Sequence, residues 1–464
     1  MHPLMVERIV FPLHQTKNRQ RVLHYLRDLE ETQWYSRAEL QQLQWEKLKR
    51  LLKHCYENVP YYRELFTRFS LKPQNIMSPE DLLKIPVLTK SELKRSYHSL
   101  QAQDKKRPFG VNRTSGSTGI PVIVHVDKEA ADCHYAAKLR GRSWWGLRIG
   151  DRNGLLWGRD EEPGLKVAIR NYVVENQIFL SLFDLTEDSA LGYFRKLERF
   201  KPKFLYGYAS ALQLLAQLFR DKGLDATALG INVIISTAEI LHKHRRRMIE
   251  LTFGCPVVNE FGCAETQVIS FQCPHGNMHV TAENLYVEFV DGAKPVAPGE
   301  RGHVVATDLN NYAMPLIRYM GGDMGSPLEN GCSCGRGLPL MDSIVGRDVD
   351  MVMLESGELL HPEIFTLPHS CPFFGAVKQL KVVQKSYSDF LVEAVVEKSA
   401  RHGFANYFSN VVQNELGTDV NLDFEFIDSI PREESGKLRY FVSEIGRLED
   451  KNGKVSGQGM VGSR

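Results

Sequence analysis

The sequence predicts an α/β protein: a large N-terminal domain with mixed and parallel sheets behind a helical opening, then a small α+β C-terminal domain. Between Thr114 and about Gly230, β-like runs alternate with helical stretches, the pattern of a largely parallel sheet. At 464 residues the chain exceeds what one hydrophobic core usually supports, so a second domain is expected. After Gly325 the texture turns Gly- and Cys-rich, and beyond Gly346-Arg347-Asp348 it becomes a run of short strands and helices, which marks a domain boundary.

The first hundred residues read as mostly helical. Apolar residues recur at helical spacing through Leu48, Leu51, Leu52 and Cys55, a break follows at Pro60, and Ser78-Pro79-Glu80-Asp81 signals another helix start. The runs Val122 to Val126 and Gly154 to Trp157 read as strands, and Leu191 to Phe200 and Ser210 to Lys222 as helices. Asn232 to Ser236, Pro256 to Glu260 and Leu285 to Val290 continue as short strands, the first followed by a basic helix from Lys243 to Leu251. The expected domains are therefore residues 1–345 and 346–450. Residues 451–464, rich in Gly, Ser and Lys with few apolar side chains, are expected to be a disordered tail.

Bulk composition narrows the function classes. With 43% hydrophobic and 25% charged residues and a formal net charge of +2, nothing global calls for nucleic acid or a membrane. The basic run His242 to Arg247 lacks interleaved aromatics and reads as a solvated helix face. The N-terminal residues show no secretion signal and no run is long enough to span a bilayer, so a cytoplasmic location is expected. Five of the eight cysteines crowd between Cys255 and Cys334 beside histidines, which suggests a metal site or reduced thiols rather than disulfides.

Two constellations carry chemistry. Arg113-Thr114-Ser115-Gly116-Ser117-Thr118-Gly119-Ile120-Pro121 offers backbone N–H groups and hydroxyls to a polyphosphate, because glycines let the main chain approach closely. It is not the common P-loop, which needs Gly-Lys-Ser/Thr leading into a helix. The second pairs Cys273-Pro274-His275-Gly276-Asn277-Met278-His279 with Cys332-Ser333-Cys334. Three thiolates and one of the two imidazoles would give the donors of a closed tetrahedral Zn²⁺ site, structural because no position stays open for water. Sheltered free thiols and two surface histidines are the other reading.

Taken in order, His54-Cys55-Tyr56-Glu57-Asn58-Val59-Pro60-Tyr61-Tyr62-Arg63, Ile85-Pro86-Val87-Leu88-Thr89-Lys90, the Thr114 to Pro121 loop, Phe261-Gly262-Cys263-Ala264-Glu265, Arg318-Tyr319-Met320-Gly321-Gly322-Asp323 and Pro431-Arg432-Glu433-Glu434-Ser435-Gly436-Lys437 resemble the motifs of the adenylate-forming enzymes. More narrowly they resemble the phenylacetate-CoA ligase-like family with its capsular-polysaccharide branch, over roughly residues 45 to 440. The resemblance implies an AMP-forming carboxylate ligase using ATP, Mg²⁺ and CoA. Ser115, Ser117, Thr118 and the backbone of Gly116 and Gly119 would cradle the β- and γ-phosphates, with Thr114 at the mouth of the loop. Glu265 would hold Mg²⁺, Asp323 the ribose hydroxyls, and Lys437, on a loop of a mobile lid domain, would be the catalytic cation. Arg347 would contact the nucleotide at the domain junction. Ala238 and Glu239, in Ser236-Thr237-Ala238-Glu239, and Glu260, Phe261 and Gly262 would line the adenine; for Ser236 to Glu239 a helix N-cap followed by Glu is the competing reading.

Family members with a Cys…His…Cys-x-Cys pattern favour His279 over His275, which gives Cys273, His279, Cys332 and Cys334 as the zinc ligands. Trp144, Trp145, Trp157, Tyr135, Tyr206 and Tyr208 are candidates for an acyl pocket or for core packing. Departures from the family pattern are Ile120 where Lys is usual, Ala264 where a hydroxyl is usual, and Met320 where Arg is common. The expected partners are a small-molecule carboxylic acid and CoA or another acyl acceptor, with no nucleic acid, no integral membrane segment, and a homodimer allowed for. Adenylation with a non-CoA acceptor in surface polysaccharide synthesis, and a non-catalytic nucleotide-binding homologue, are the alternatives.

Overall fold

The computed structural model describes residues 1–104, 110–113, 122–158, 164–292, 294–329, 331–342, 344, 346–347, 352–356, 359–360, 362–365, 371–373, 376–417, 419–431 and 438–445. The tail expected at 451–464 lies outside them. The chain divides into two compact units, one comprising residues 1–345 and a second beginning at Gly346.

The first unit opens with helices, among them Val22–Thr32, Arg37–Asn58 and Pro60–Arg68. The longest begins at Ser36, whose hydroxyl accepts from the Glu39 N–H while the Glu39 carboxylate accepts from the Ser36 N–H, a reciprocal capping box. Leu40, Leu48, Leu51, Leu52 and Cys55 form its buried face. It stops before Val59, which is extended ahead of Pro60, because the proline ring disfavours a helical residue in front of it. Pro60 then opens the next helix at a position where no N–H is needed. The start expected at Ser78 becomes a short 3₁₀ segment, Pro79–Lys84.

The main sheet has nine strands. Gln177–Ser181, Asn153–Trp157, Phe204–Tyr208, Val233–Thr237 and Val257–Cys263 lie side by side in that order, all parallel. Gln267–Gln272, Met278–Val280, Leu340–Met341 and Pro327–Leu328 extend it antiparallel. The helices Ala190–Phe200, Ala209–Asp221 and Lys243–Phe253 separate the parallel strands in sequence. Both faces of the central strands are buried, which is why they read as continuous apolar runs. Leu205, Ile234 and Val257 pack with Leu212, Phe219 and Phe253, while Phe204, Tyr206, Ile235 and Val258 pack with Trp144 and Phe271.

Two strands belong elsewhere than the simple alternation suggests. Ile123–Val126 forms an antiparallel hairpin with Gly110–Arg113, the two strands flanking the stretch that contains the phosphate loop. Leu285–Asp291 joins a second sheet with Gly302–Asp308, Tyr319–Gly325 and Leu88–Thr89. The basic helix also differs from expectation: Arg245 is only 7% exposed and lies 3.9 Å from the Glu239 carboxylate, and Arg246 donates to the Val257 carbonyl and to Gln272. Only part of that run faces water, since two guanidinium groups are drawn in by acceptors on neighbouring segments.

In the second unit the strands run in the order Asn421–Phe426, Asp389–Val396, Val377–Gln384, Phe441–Ser443, with the helix Arg401–Leu416 packing Phe404, Phe408 and Val412 into the core around Phe390 and Val392. Mixed α and β elements in this unit agree with the α+β class expected for the C-terminal part. No described helix is long and apolar enough to cross a membrane.

Candidate active site

Open parallel sheets bind ligands beyond the carboxyl ends of their strands. Here that edge carries Trp157, Tyr208, Thr237 and Glu260 on four consecutive neighbours. Beyond Glu260 the strand continues through Phe261 and Gly262, and the chain doubles back into Gln267–Gln272. A Cβ on Gly262 would lie 2.2 Å from the Gln267 carbonyl oxygen, so only glycine fits this crossing. Gln267 itself adopts a positive φ of 59°.

That turn holds Glu265, which is 6% exposed and accepts a hydrogen bond from the Tyr319 hydroxyl at 2.7 Å. Tyr319 opens the second-sheet strand Tyr319–Gly325 on which half-buried Asp323 sits. Two predicted segments far apart in sequence thus converge. Burial, followed by the charge of Glu265, pushes the Cys263 thiol well above the ordinary thiol range. Arg318, before Tyr319, is buried with φ 52° and pairs with Glu288 at 3.0 Å.

Two carboxylates expected near adenine are engaged by the protein. Glu239 accepts from the N–H (2.7 Å) and the hydroxyl (3.0 Å) of Ser210, placing negative charge at the first turn of Ala209–Asp221. The helix N-cap reading of Ser236 to Glu239 does not hold, since Val233–Thr237 is a strand and the next helix starts at Lys243 behind His242; Glu239 instead serves the first turn of the earlier helix. Ala238, beside it, has φ 64°, a conformation that L-residues seldom adopt and that clusters at ligand-binding backbone. The Glu260 carboxylate, 4% exposed, accepts from the Tyr206 hydroxyl at 2.6 Å and the Thr237 hydroxyl at 3.3 Å. Lys138 donates to the same Tyr206 oxygen at 2.7 Å, with its ammonium 3.9 Å from Glu260. Burial lowers the Lys138 pKa, against the raising effect of Glu260.

The aromatic candidates separate into two groups. Trp157 lies against Tyr206 and Tyr208, with centroids 6.0 and 4.1 Å away. Trp144 instead donates to Gln33 and packs on Phe271 and His279, Trp145 donates to the Gln272 carbonyl, and Tyr135 donates to Glu175. Those three serve packing. Thr114, Ser115, Gly116, Ser117, Thr118, Gly119 and Lys437 lie outside the described residues, and Arg347 is described only within the short strand Gly346–Arg347.

Away from this edge, one donor atom each from Cys273, His279, Cys332 and Cys334 lies within 4.8 Å of every other. Cys273 Sγ is 3.7 Å from Cys332 Sγ, and Cys334 Sγ is 3.3 Å from His279 Nε2. His275 lies instead against Ser333 Oγ at 2.8 Å, outside this group of four. Cys273 and His279 are fully buried, and burial pushes the His279 imidazole down to about 4, so it is neutral and free to donate a lone pair.

The sequence is 26% identical to a phenylacetate-coenzyme A ligase of Thermus thermophilus over 87% of this chain and 96% of that one. It is 22% identical to the protein CapK of Staphylococcus aureus over 88% and 90%. Residues 369–444 match the family model of the CapK C-terminal domain. Along most of its length the chain is similar to phenylacetate-CoA ligases and to CapK. Its fold is that of adenylate-forming ligases: a 2-hydroxyisobutyryl-CoA ligase in the postadenylation state with R3-HIB-AMP superposes with a TM-score of 0.73 at 22% identity, over 90% of this chain and 92% of that one.

Within this phenylacetate-CoA ligase-like chain, sequence reasoning missed Lys138 and did not foresee the Lys138–Tyr206–Glu260 relay. Lys138 and Tyr206 are 68 residues apart, and no spacing rule joins a helix residue to a strand residue at that distance. The alternation of Phe204, Tyr206 and Tyr208 was the available signal, since residues two apart on a strand share a face.

Proposed function

We propose that this protein is an AMP-forming carboxylate ligase that makes an acyl-adenylate and passes the acyl group to CoA. The observation that carries the reading is the hydrogen bond from Tyr319 to Glu265, which joins the turn after the parallel strand Val257–Cys263 to the second-sheet strand Tyr319–Gly325 that bears Asp323. In the first half-reaction an oxygen of the substrate carboxylate attacks the α-phosphorus of ATP and the bond to pyrophosphate breaks. In the second, the CoA thiol attacks the acyl carbon and AMP leaves with the bonding pair.

The roles follow from chemistry. Glu265 is a hard oxygen donor suited to Mg²⁺, which supplies charge neutralisation to the phosphates when bound, and Tyr319 holds its carboxylate in place. Asp323 accepts from the ribose hydroxyls. The Thr114 to Gly119 loop holds the β- and γ-phosphates, and Lys437 neutralises charge at the α-phosphate. With the Glu239 carboxylate committed to Ser210, adenine contact at this corner falls to the backbone of Ala238 and of Phe261-Gly262. Cys273, His279, Cys332 and Cys334 suit a structural Zn²⁺, since four soft and borderline donors leave no open position.

The test is ATP–pyrophosphate exchange over a panel of aryl, fatty and amino-acid carboxylates, followed by product analysis with and without CoA. Exchange with one acid class and a CoA-dependent thioester is the expected result. The CapK match at residues 369–444 favours a second acceptor reading, transfer to an amine, hydroxyl or carrier thiol in surface polysaccharide synthesis, which predicts exchange without a CoA-dependent product. Exchange with no acid would leave a nucleotide-binding homologue without turnover.

A further inference from the structure

Glu260 is the least expected residue at the ligand edge of the sheet. Other parallel strands end there in aromatic or hydroxyl side chains, Trp157, Tyr208 and Thr237, whereas Val257–Cys263 presents a carboxylate that is 4% exposed. One oxygen, Oε1, is fully used: it accepts from Tyr206 at 2.6 Å and from Thr237 at 3.3 Å. The other, Oε2, is buried and has no hydrogen-bond partner among the described residues. An ionised carboxylate is acceptor-only, and a buried acceptor left without a donor is destabilising, so folded proteins satisfy such atoms with water or a ligand.

The surroundings define the ligand group. Tyr206 carries the ammonium of Lys138 both on its hydroxyl and over its ring, 4.0 Å from the centroid, so Glu260 keeps a nearby positive charge without being neutralised by a direct ion pair at hydrogen-bonding distance. Trp157 lies parallel to Tyr206 within 4° and touches Tyr208. Trp157 and Lys138 stay half-buried while Tyr206, Tyr208 and Glu260 are buried. Flat aromatic walls around one unsatisfied charged acceptor fit an aromatic ring with a hydrogen-bond donor.

We propose that Glu260 is a specificity residue of the acyl pocket, its Oε2 accepting a hydrogen bond from a hydroxyl or amino substituent on an aryl carboxylic acid, with Tyr206 and Lys138 positioning it. The assignment rests on the carboxylate-ligase reading and gives Glu260 to the acyl substrate instead of the nucleotide. A pocket built to pair with a substrate donor discriminates strongly against the analogue lacking it, because the acceptor is then buried unpaired.

The experiment is calorimetric binding of matched acid pairs to the full-length protein, with and without ATP: 4-hydroxyphenylacetate against phenylacetate, and 4-hydroxy- or 4-aminobenzoate against benzoate. The substituted acid of at least one pair should bind tighter by on the order of 10²-fold or more. In Glu260→Gln, which keeps the shape but turns one acceptor oxygen into a donor, and in Glu260→Asp, which withdraws the carboxylate by one methylene, that ratio should collapse towards unity. Equal or weaker binding of the substituted acids by the wild type overturns the proposal without any variant. So does a preference that survives in both folded variants. Pyrophosphate exchange run alongside separates the two readings: selective binding without exchange removes the ligase function and keeps the pocket, whereas exchange without selectivity removes the pocket and keeps the ligase.

Discussion

Glu265 occupies a turn that only a particular backbone allows. Gly262 crosses so close to Gln267 that any side chain there would strike the carbonyl oxygen. Gly262→Ala should therefore destabilise the protein by about 1–3 kcal/mol, the usual cost of forcing extra atoms into a packed crossing, as a shift in urea midpoint at constant slope. Glu265→Gln removes the metal-seeking charge while leaving an oxygen for Tyr319. It should lower pyrophosphate exchange on the order of 10²- to 10³-fold with little change in thermal midpoint, and exchange at the wild-type rate would take Glu265 out of the machinery. At this scale the acidic motif residues were legible because each sits in a short, ordered pattern. The relay from Lys138 was not, because packing of a helix on a strand sets it and adjacent sequence does not.

Among the elements, the parallel strands were legible as apolar runs bounded by turn residues, but a run does not name its partner. Ile123–Val126 and Leu285–Asp291 have strand texture like the rest yet pair in a hairpin and in a second sheet. The basic helix illustrates the same gap, since Arg245 and Arg246 look solvated by composition and are drawn inward by Glu239, Gln272 and a backbone carbonyl. The cysteine cluster was legible because thiol spacing is itself chemical information. It ties the turn between Gln267–Gln272 and Met278–Val280 to the segment carrying Cys332 and Cys334. Protein purified without chelator should contain one zinc per chain, and Cys334→Ser should lose it and melt several degrees lower, roughly the shift expected for a few kcal/mol in a domain of this size. A full-length chain with no stoichiometric metal would leave the four donors as sheltered thiols and a neutral imidazole.

For the molecule as a whole, the sequence changes texture near Gly346, and a compact unit with its own core around Phe390 and Val392 lies beyond it. Glu265 and Asp323, proposed for the metal and the ribose, lie before Gly346, and Lys437 follows that boundary by some ninety residues in sequence. If Lys437 supplies charge only when the α-phosphate is attacked, its loss should spare ground-state binding of ATP. Lys437→Ala should bind ATP with unchanged affinity by calorimetry and yet lose pyrophosphate exchange on the order of 10²- to 10³-fold, as other single electrostatic stabilisers do. Its second half-reaction, started from chemically prepared acyl-adenylate and CoA, should run near the wild-type rate, because AMP leaves there without pyrophosphate chemistry. Weakened ATP binding with intact exchange would instead place Lys437 among the ground-state contacts, and equal loss in both half-reactions would make it a general support rather than a charge that acts on one step.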